Sequence, residues 1–392
     1  MSPLNSTFAG ADADELLLSN ARVVLADRVL ENASVLCRGG RIVDVSAGAS
    51  TAPGAIDLQG DWLLPGLVEM HTDNLERHVQ PRPKTSFPMS AAVLAHDAEV
   101  AAAGISTVFD AIGVGDPYGD GFRARDQSEL LNVLDRMDAA GVLRADHLIH
   151  VRCELPAENA QALFQPFAGH ARLALISLMD HTPGQRQWTD IEQARTYYTG
   201  KKGWSHATFD EEVRIAPERQ ARHARPNEAW FATFAREHRI VLASHDDTTP
   251  AHAEHAQALG AAMSEFPTTL AAARRARELG LATVAGAPNV VRGGSHSGNV
   301  AALDLAREGL LDVLSSDYVP ASLLLAAWTL MRDAGYSPAE ALAVVSLNPA
   351  RACGLADRGQ ILPGLRADLV RVREVAGQPV VRQLWRQQQR VL

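Results

Sequence analysis

The stretch Leu63–His78, LLPGLVEMHTDNLERH, decides the fold. Leu64, Leu67, Val68 and Met70 read as a buried strand opened by the Pro65-Gly66 turn. The run then turns polar at its C-terminal end, as a strand does when it reaches the mouth of a barrel or cleft. Side chains alternate faces along a strand, so His71 and Asp73 are expected on one side with Thr72 opposite. An imidazole and a carboxylate leaving one strand end together are a common start to a metal site.

Seven further apolar strand candidates follow: GISTVFDAI, HLIHVRCEL, ARLALISLMDH, RIVLASHDD, GAAMSEFPTT, LATVAGAPN and LLDVLSSDY. Helical stretches such as SAAVLAHDAEVAAAG and SELLNVLDRMDAAG lie between most of them, several stopped by glycine. Strand–helix alternation implies a parallel sheet, and eight repeats favour a (β/α)8 TIM-type barrel over an open sheet. The glycine-rich GGSHSG lacks the spacing of a dinucleotide fingerprint. Short strand-like runs at both ends, ARVVLAD early and RADLVRVREV late, have the texture of one small β-sandwich domain built from both termini. The expected division is a polar, disordered lead at 1–14, a β domain at 15–64 plus 352–392, and a barrel at 65–351. Residues 185–230 form a long polar insertion between the fourth and fifth strands, the kind of segment that serves as a lid or binding element.

Composition narrows the function. The chain has 392 residues, 46% hydrophobic and 21% charged, enough for a large core. With 46 acidic and 37 basic residues the net charge is −9, against nonspecific nucleic-acid binding. No apolar run of about 18 residues is present, so no membrane span is expected. Three widely spaced cysteines, Cys37, Cys153 and Cys353, argue against a disulfide framework and for a reducing cytoplasm. Only three basic residues are lysine: Lys84, Lys201 and Lys202, all in loop-like stretches. They read either as substrate contacts or as stray surface lysines in an arginine-biased chain.

In such barrels the active site sits at the C-terminal ends of the strands. Those ends carry His71 and Asp73, then Asp110, Glu154, Asp180 with His181, His245 with Asp246, Glu265, Asn289 and Asp317. Any one alone is more often a cap or a surface residue; their recurrence at one structural position is the signal. Imidazoles with carboxylates suit one or two divalent ions, Zn²⁺ or Mn²⁺ above all, that activate water.

This arrangement resembles the amidohydrolase superfamily, with two departures. The first-strand motif is His71-Thr72-Asp73 rather than His-x-His, and no lysine ends a strand to serve as a carboxylated bridge. Glu154, which shares a face with Arg152, is the natural substitute bridge. LLPGLVEMHTDNLERHVQPRPK, RCELP, SLMDHTPGQRQ, LASHDD, EFPTT, GAPNVVRGGSHSGNVAA and LLDVLSSDY further resemble the PhnM family of the carbon–phosphorus lyase pathway, across residues 15–392. His-x-Asp is that family's own pattern.

The resemblance implies hydrolysis of α-D-ribose 1-methylphosphonate 5-triphosphate to the 5-phosphate and diphosphate. It implies a metal set of His71, Asp73, Glu154, His181, His245 and Asp317, with Asp317 as general base; His181 reads either as a ligand or as a substrate contact. A triphosphate also needs cations. Candidates are Arg82, Lys84, Arg186, Lys201, Lys202 and Arg292, with Gly294, Ser295, His296 and Ser297 as an anion cradle after the seventh strand. That loop reads equally as a plain glycine-rich turn. His96 with Asp97 reads either as a group supporting the site or as simply packed, and the helical pair His252 and His255 either as metal-binding or as a solvated face. His78 has no role in the resemblance, and Cys153 should face the helical layer. A homodimer and association with other proteins of the pathway are expected by analogy alone. Two other readings stand: a cyclic-amide hydrolase or deaminase on the same scaffold, and a catalytically silent scaffold protein.

Overall fold

The computed structural model describes residues 15–82, 85–118, 127–201, 203–295 and 298–392, with only the backbone of Lys201. The lead at 1–14, Lys84, Lys202, His296, Ser297 and the Lys201 side chain lie outside what is described.

Eight parallel strands make the barrel: β1 (Leu67–Thr72), β2 (Ile105–Val114), β3 (Asp146–Glu154), β4 (Leu173–Met179), β5 (Val241–His245), β6 (Met263–Glu265), β7 (Ala282–Gly286) and β8 (Val313–Ser315). Each pairs with the next in chain order. β1 and β8 do not pair along their length. They meet at the mouth through the bridge Thr72–Asp317. Below it Val344 and Val345 fill the seam, accepting from Leu314 N at 2.8 Å and Val68 N at 3.0 Å.

The strands are apolar on both faces because both are covered. Val68, Met70, Phe109, Leu175, Ala243, Met263, Val284 and Val313 fill the interior, closed below by Ala350 and Cys353. Outside, helices lay down single apolar stripes; Ser128–Ala139 buries Leu130, Leu131, Val133 and Leu134. Cys153 packs in this outer layer, as alternation predicts.

Gly66 shows why the strand opens on Pro-Gly. Its N–H donates to Asp368 O at 2.8 Å, and a Cβ there would lie 2.2 Å from Ser106 Oγ. No side chain fits that approach without movement.

The stretch 185–230 is mostly helix. Ile191–Lys201 is followed by the 33-residue helix His206–His238, capped by the Ser205 hydroxyl and stopped by Arg239 at φ 56°. Its second half covers the barrel wall through Phe231, Ala232 and Ala235. The first half and its neighbours bury Trp188, Tyr198 and Phe209, with Tyr118 and Trp204 against them.

The chain ends do come together, in one continuous sheet that folds back on itself. From one edge the strands run Gln389–Arg390, Gln378–Arg386, Leu369–Val375, Trp62–Pro65, Glu15–Val24, Val29–Arg38 and Arg41–Ala47, with Ile56–Asp57 beside Glu15–Val24. The Arg41–Arg366 bridge and Ile42 N donating to Leu365 O at 2.9 Å tie the far edge back to the start of Leu369–Val375. The sheet therefore folds over its own core of Leu18, Val35, Leu63 and Trp385. The small β domain built from both termini is thus present, although the register between segments this far apart has no local signature. Asp146, at the start of β3, clamps this sheet to the barrel by accepting from Arg358, Arg366 and Arg386.

Candidate metal centre

Three imidazoles converge at the mouth, and each has a carboxylate behind it. His71 Nδ1 lies 3.0 Å from Glu265 Oε1, and His245 Nδ1 lies 3.3 Å from Glu265 Oε2. His181 Nδ1 lies 2.7 Å from Glu154 Oε2. A carboxylate at Nδ1 fixes the proton there and leaves Nε2 as a lone-pair donor, the arrangement that orients metal-binding histidines. Two of the open Nε2 atoms face Asp246 Oδ2, His245 at 3.6 Å and His181 at 3.8 Å. The third, on His71, faces Arg152 Nη1 at 3.5 Å. Donor atoms of His71, His245 and Glu265, and of His181, His245 and Asp246, lie within 4.8 Å of one another. This donor set fits divalent cations.

The strand ends are shaped for this. Asp246, Phe266 and Asp317, which follow β5, β6 and β8 closely, have φ of 55°, 53° and 54°. Left-handed non-glycine residues are uncommon and concentrate at functional sites. The β1–β2 register slips between Glu69 and Thr72, so strict alternation does not govern the end of β1. Glu69 sits in the closing seam, accepting from His71 N at 2.7 Å and Ser316 N at 2.6 Å.

The electrostatics follow from burial and pairing. Burial pushes the Glu69 carboxyl up to about 8 despite those N–H donors. Burial also raises Asp317, helped by the charge of Asp73 and opposed by His71, Arg152 and His245, to about 6. Burial would lift Glu265 too, but His71, His150 and His245 reverse that and hold it well below the carboxylate range. Burial alone would lower His245; Asp246 and Glu265 hold it above its ordinary value. His150 inside the barrel is lowered by burial, which the charge of Glu265 offsets only in part against His71, Arg152 and His245, and falls to about 3.

The expected residues are thus placed unevenly. His71, His181 and His245 gather, with Asp73 and Asp317 at the seam beside them. Glu154, expected as a bridge between ions, spends Oε1 on the His181 N–H and Oε2 on its ring. Asp180 lies past the end of β4 and accepts from Gln220, so His181 alone turns inward. Arg186 donates to His245 O at 2.7 Å and Asp247 at 3.0 Å, buttressing β5. Arg82 and Arg292 are exposed, and Gly294 and Ser295 are half-buried in the loop after helix Ala287–Arg292. Asn289 ties down that loop through Val300 O and Ala302 N.

Asp110 is not at the mouth. β2 runs on to Val114, so Asp110 lies mid-strand, under helix Met89–Ala102. There His96 Nε2 and His147 Nδ1 donate to its two oxygens at 2.7 and 2.8 Å. His147 also faces Asp97, which accepts from Arg144 at 2.9 Å. Burial would lower His147, but these two carboxylates raise it to about 9. Asn74 closes the network, donating to His96 Nδ1 at 3.0 Å and Glu99 at 2.9 Å. On helix Pro250–Leu259, His255 pairs with Glu228 of the long helix and His252 accepts from Thr248 N.

Glu265 and Asp246 stood among the strand ends in the sequence without a role. His150 and Arg152 were missed. The signal was present: in HLIHVRCE, His150, Arg152 and Glu154 put three polar groups on one face of an apolar strand.

A barrel with imidazoles and carboxylates at its strand ends, joined to a sheet from both chain termini, defines a hydrolase of the amidohydrolase type. The amidohydrolase family profile matches residues 221–387. Among solved structures, molinate hydrolase aligns with a TM-score of 0.67 at 13% identity, covering 96% of this chain and 94% of that one. N-acetyl-D-glucosamine-6-phosphate deacetylase from Mycobacterium smegmatis aligns at 0.60 and 17%, covering 96% and 100%. These show the shared fold. The chain is 42% identical over 382 residues to the alpha-D-ribose 1-methylphosphonate 5-triphosphate diphosphatase of Escherichia coli (strain K12), covering 96% of this chain and 100% of that protein, and it belongs to that family.

Proposed function

We propose that this chain hydrolyses α-D-ribose 1-methylphosphonate 5-triphosphate to the 5-phosphate and diphosphate, within carbon–phosphorus lyase catabolism of phosphonates. The observation that carries the reading is the match to the diphosphatase along nearly the whole of both chains. The mouth supplies suitable chemistry. His71, His181 and His245 would hold one or two divalent ions, zinc or manganese by donor type, with Asp73, Asp246 and Asp317 completing the set. Glu265 and Glu154 orient the rings. A bound ion would contribute Lewis acidity and a lowered water pKa. Asp317, buried beside Asp73, takes the proton of the attacking water and passes it on. Tyr118 packs against the aromatic cluster of the insertion, with Tyr198 and Trp204.

Three buried, unpaired cysteines suit a reducing compartment, the cytoplasm. Among the described residues no helix is long and apolar enough to cross a membrane. A homodimer and docking to other proteins of the pathway are part of the proposal by analogy, tested by the mass of the purified protein alone and with those partners.

Phosphorus NMR of a ribose 5-triphosphate compound, incubated with enzyme and Mn²⁺ or Zn²⁺, decides the reaction. Diphosphate released in one step supports the reading; stepwise orthophosphate, or no reaction, refutes it. Inorganic diphosphate should compete, whereas a cyclic-amide hydrolase would ignore it.

A further inference from the structure

Arg152 stands in the barrel mouth with fewer partners than a buried guanidinium requires. The residue is 9% exposed and lies on the inward face of β3 between His150 and Glu154. Nη1 reaches only the ring of His71 at 3.5 Å, Nη2 stays 3.9 Å from Glu76, and Nε has no hydrogen-bond partner among the described residues. Glu76 uses its other oxygen on Gly113 N. The other buried arginine among the described residues, Arg366, meets Asp146 at 2.5 Å, and the half-buried Arg358 meets Asp146 and Asp357 at 2.8 Å each. A guanidinium carries five donors and keeps its charge at any physiological pH, so one buried without a close anion is arranged to receive one.

Its surroundings say which anion. Arg152 lies within electrostatic range of Asp317, His245 and His150, at the centre of the proposed reacting region. The other described cations do not occupy that place: Arg186 is committed to Asp247, and Arg82 and Arg292 are exposed.

We infer that Arg152 is a substrate-contacting catalytic residue whose open N–H groups bind the non-bridging oxygens of the phosphoryl group under attack. The assignment rests on the phosphoanhydride reading above. Water forms the new P–O bond and gives its proton to Asp317. The anhydride bond to the outer two phosphates breaks, and its electron pair leaves with diphosphate. Charge builds on the oxygens that Arg152 faces, so its hydrogen bonds strengthen as the reaction proceeds.

The test uses full-length, metal-loaded wild type, Arg152→Gln and Arg152→Lys. Bound metal is measured by elemental analysis, melting temperature by calorimetry, inorganic tripolyphosphate affinity by titration, and kcat and KM with ribose 5-triphosphate. Arg152→Gln should keep its metal and melt no lower than wild type, because an unsatisfied buried charge has gone. It should bind tripolyphosphate about tenfold or more weakly and lose about 10²–10³-fold in kcat/KM. Arg152→Lys should recover part of the binding, since a point charge remains without the planar fork. Loss of metal, or a lower melting temperature with unchanged tripolyphosphate affinity, would make Arg152 a structural prop and overturn the inference. Equal diphosphate release by wild type and Arg152→Gln would overturn it while leaving the proposed function intact. A wild type that releases no diphosphate, yet loses tripolyphosphate binding on Arg152→Gln, would refute the function and keep the anion site.

Discussion

The backbone N–H of Asp73 donates to the carbonyl oxygen of Asp317 at 3.0 Å, and the Thr72 hydroxyl donates to the same oxygen at 2.7 Å. The first and last strands of the barrel are thus stitched at the height of their two carboxylates. Burial and the negative charge of Asp73 hold Asp317 well above an ordinary aspartate. Two acids placed together in this way are at odds until a cation stands between them.

Asp317→Asn should therefore act in opposite directions on stability and activity. Turnover should fall about 10²–10⁴-fold, the range for losing a general base. The chelator-treated protein should melt higher than treated wild type, because a buried like-charge repulsion is gone. Steady-state kinetics and calorimetry check the two halves, and undiminished turnover would remove Asp317 from its role.

Glu265 holds two imidazoles with two oxygens. An amide there can accept from one ring only, so Glu265→Gln forces the other to turn or change tautomer. Metal affinity should drop about 10–100-fold, the usual effect of removing a ligand-orienting group. Retained metal after dialysis, measured by elemental analysis, should show it; wild-type retention would mean the rings hold themselves.

The network under helix Met89–Ala102 predicts a pH-dependent stability unrelated to catalysis. His147 is raised in the folded protein to about 9 from an ordinary 6.5. A raised histidine contributes stability that is complete below the unfolded value and is lost as pH climbs through the folded one. His147→Gln should cost about 3–5 kcal/mol near pH 6, the usual range for breaking a buried ion pair. The gap to wild type should shrink steadily towards pH 10. Urea denaturation across that range tests this, and a pH-independent gap would contradict it.

Gly66→Ala isolates the turn that opens the first barrel strand. The added methyl meets Ser106 Oγ at 2.2 Å and Ser106 Cβ at 2.8 Å. Overpacking of this kind costs about 1–3 kcal/mol. Removing the obstacle with Ser106→Ala in the same chain should return part of the loss, read as a partial recovery of the denaturation midpoint.

Much of this architecture was legible because strand and helix leave different periods in the sequence. All eight barrel strands showed as apolar runs, and His71, His245 and Asp317 stood out because each closes such a run. The errors have physical causes. Asp110 looked like a strand end only because AIGV after it is too short to read alone, yet it continues β2 to Val114. Arg186 looked like a free cation because its partner Asp247 lies 61 residues away. The contact of Glu154 with His181 was not legible, because sequence shows which strand a carboxylate ends, not which ring it meets. The pairing inside the terminal β domain was not legible, because nothing local specifies how Trp62–Pro65 divides its two edges.

Those two edges have a cost in time. Trp62–Pro65 pairs on one side with Glu15–Val24 and on the other with Leu369–Val375. Arg371 then locks onto Asp61 across 310 residues of chain. At ribosomal rates the early strands are made on the order of tens of seconds before their neighbour. Throughout that interval Leu18, Val35 and Leu63 have half a core, and the Trp62–Pro65 edge offers its backbone to any passing strand. Newborn chains should thus depend on chaperone shelter until Leu369–Val375 clears the exit tunnel, far more than the stability of the finished barrel would suggest.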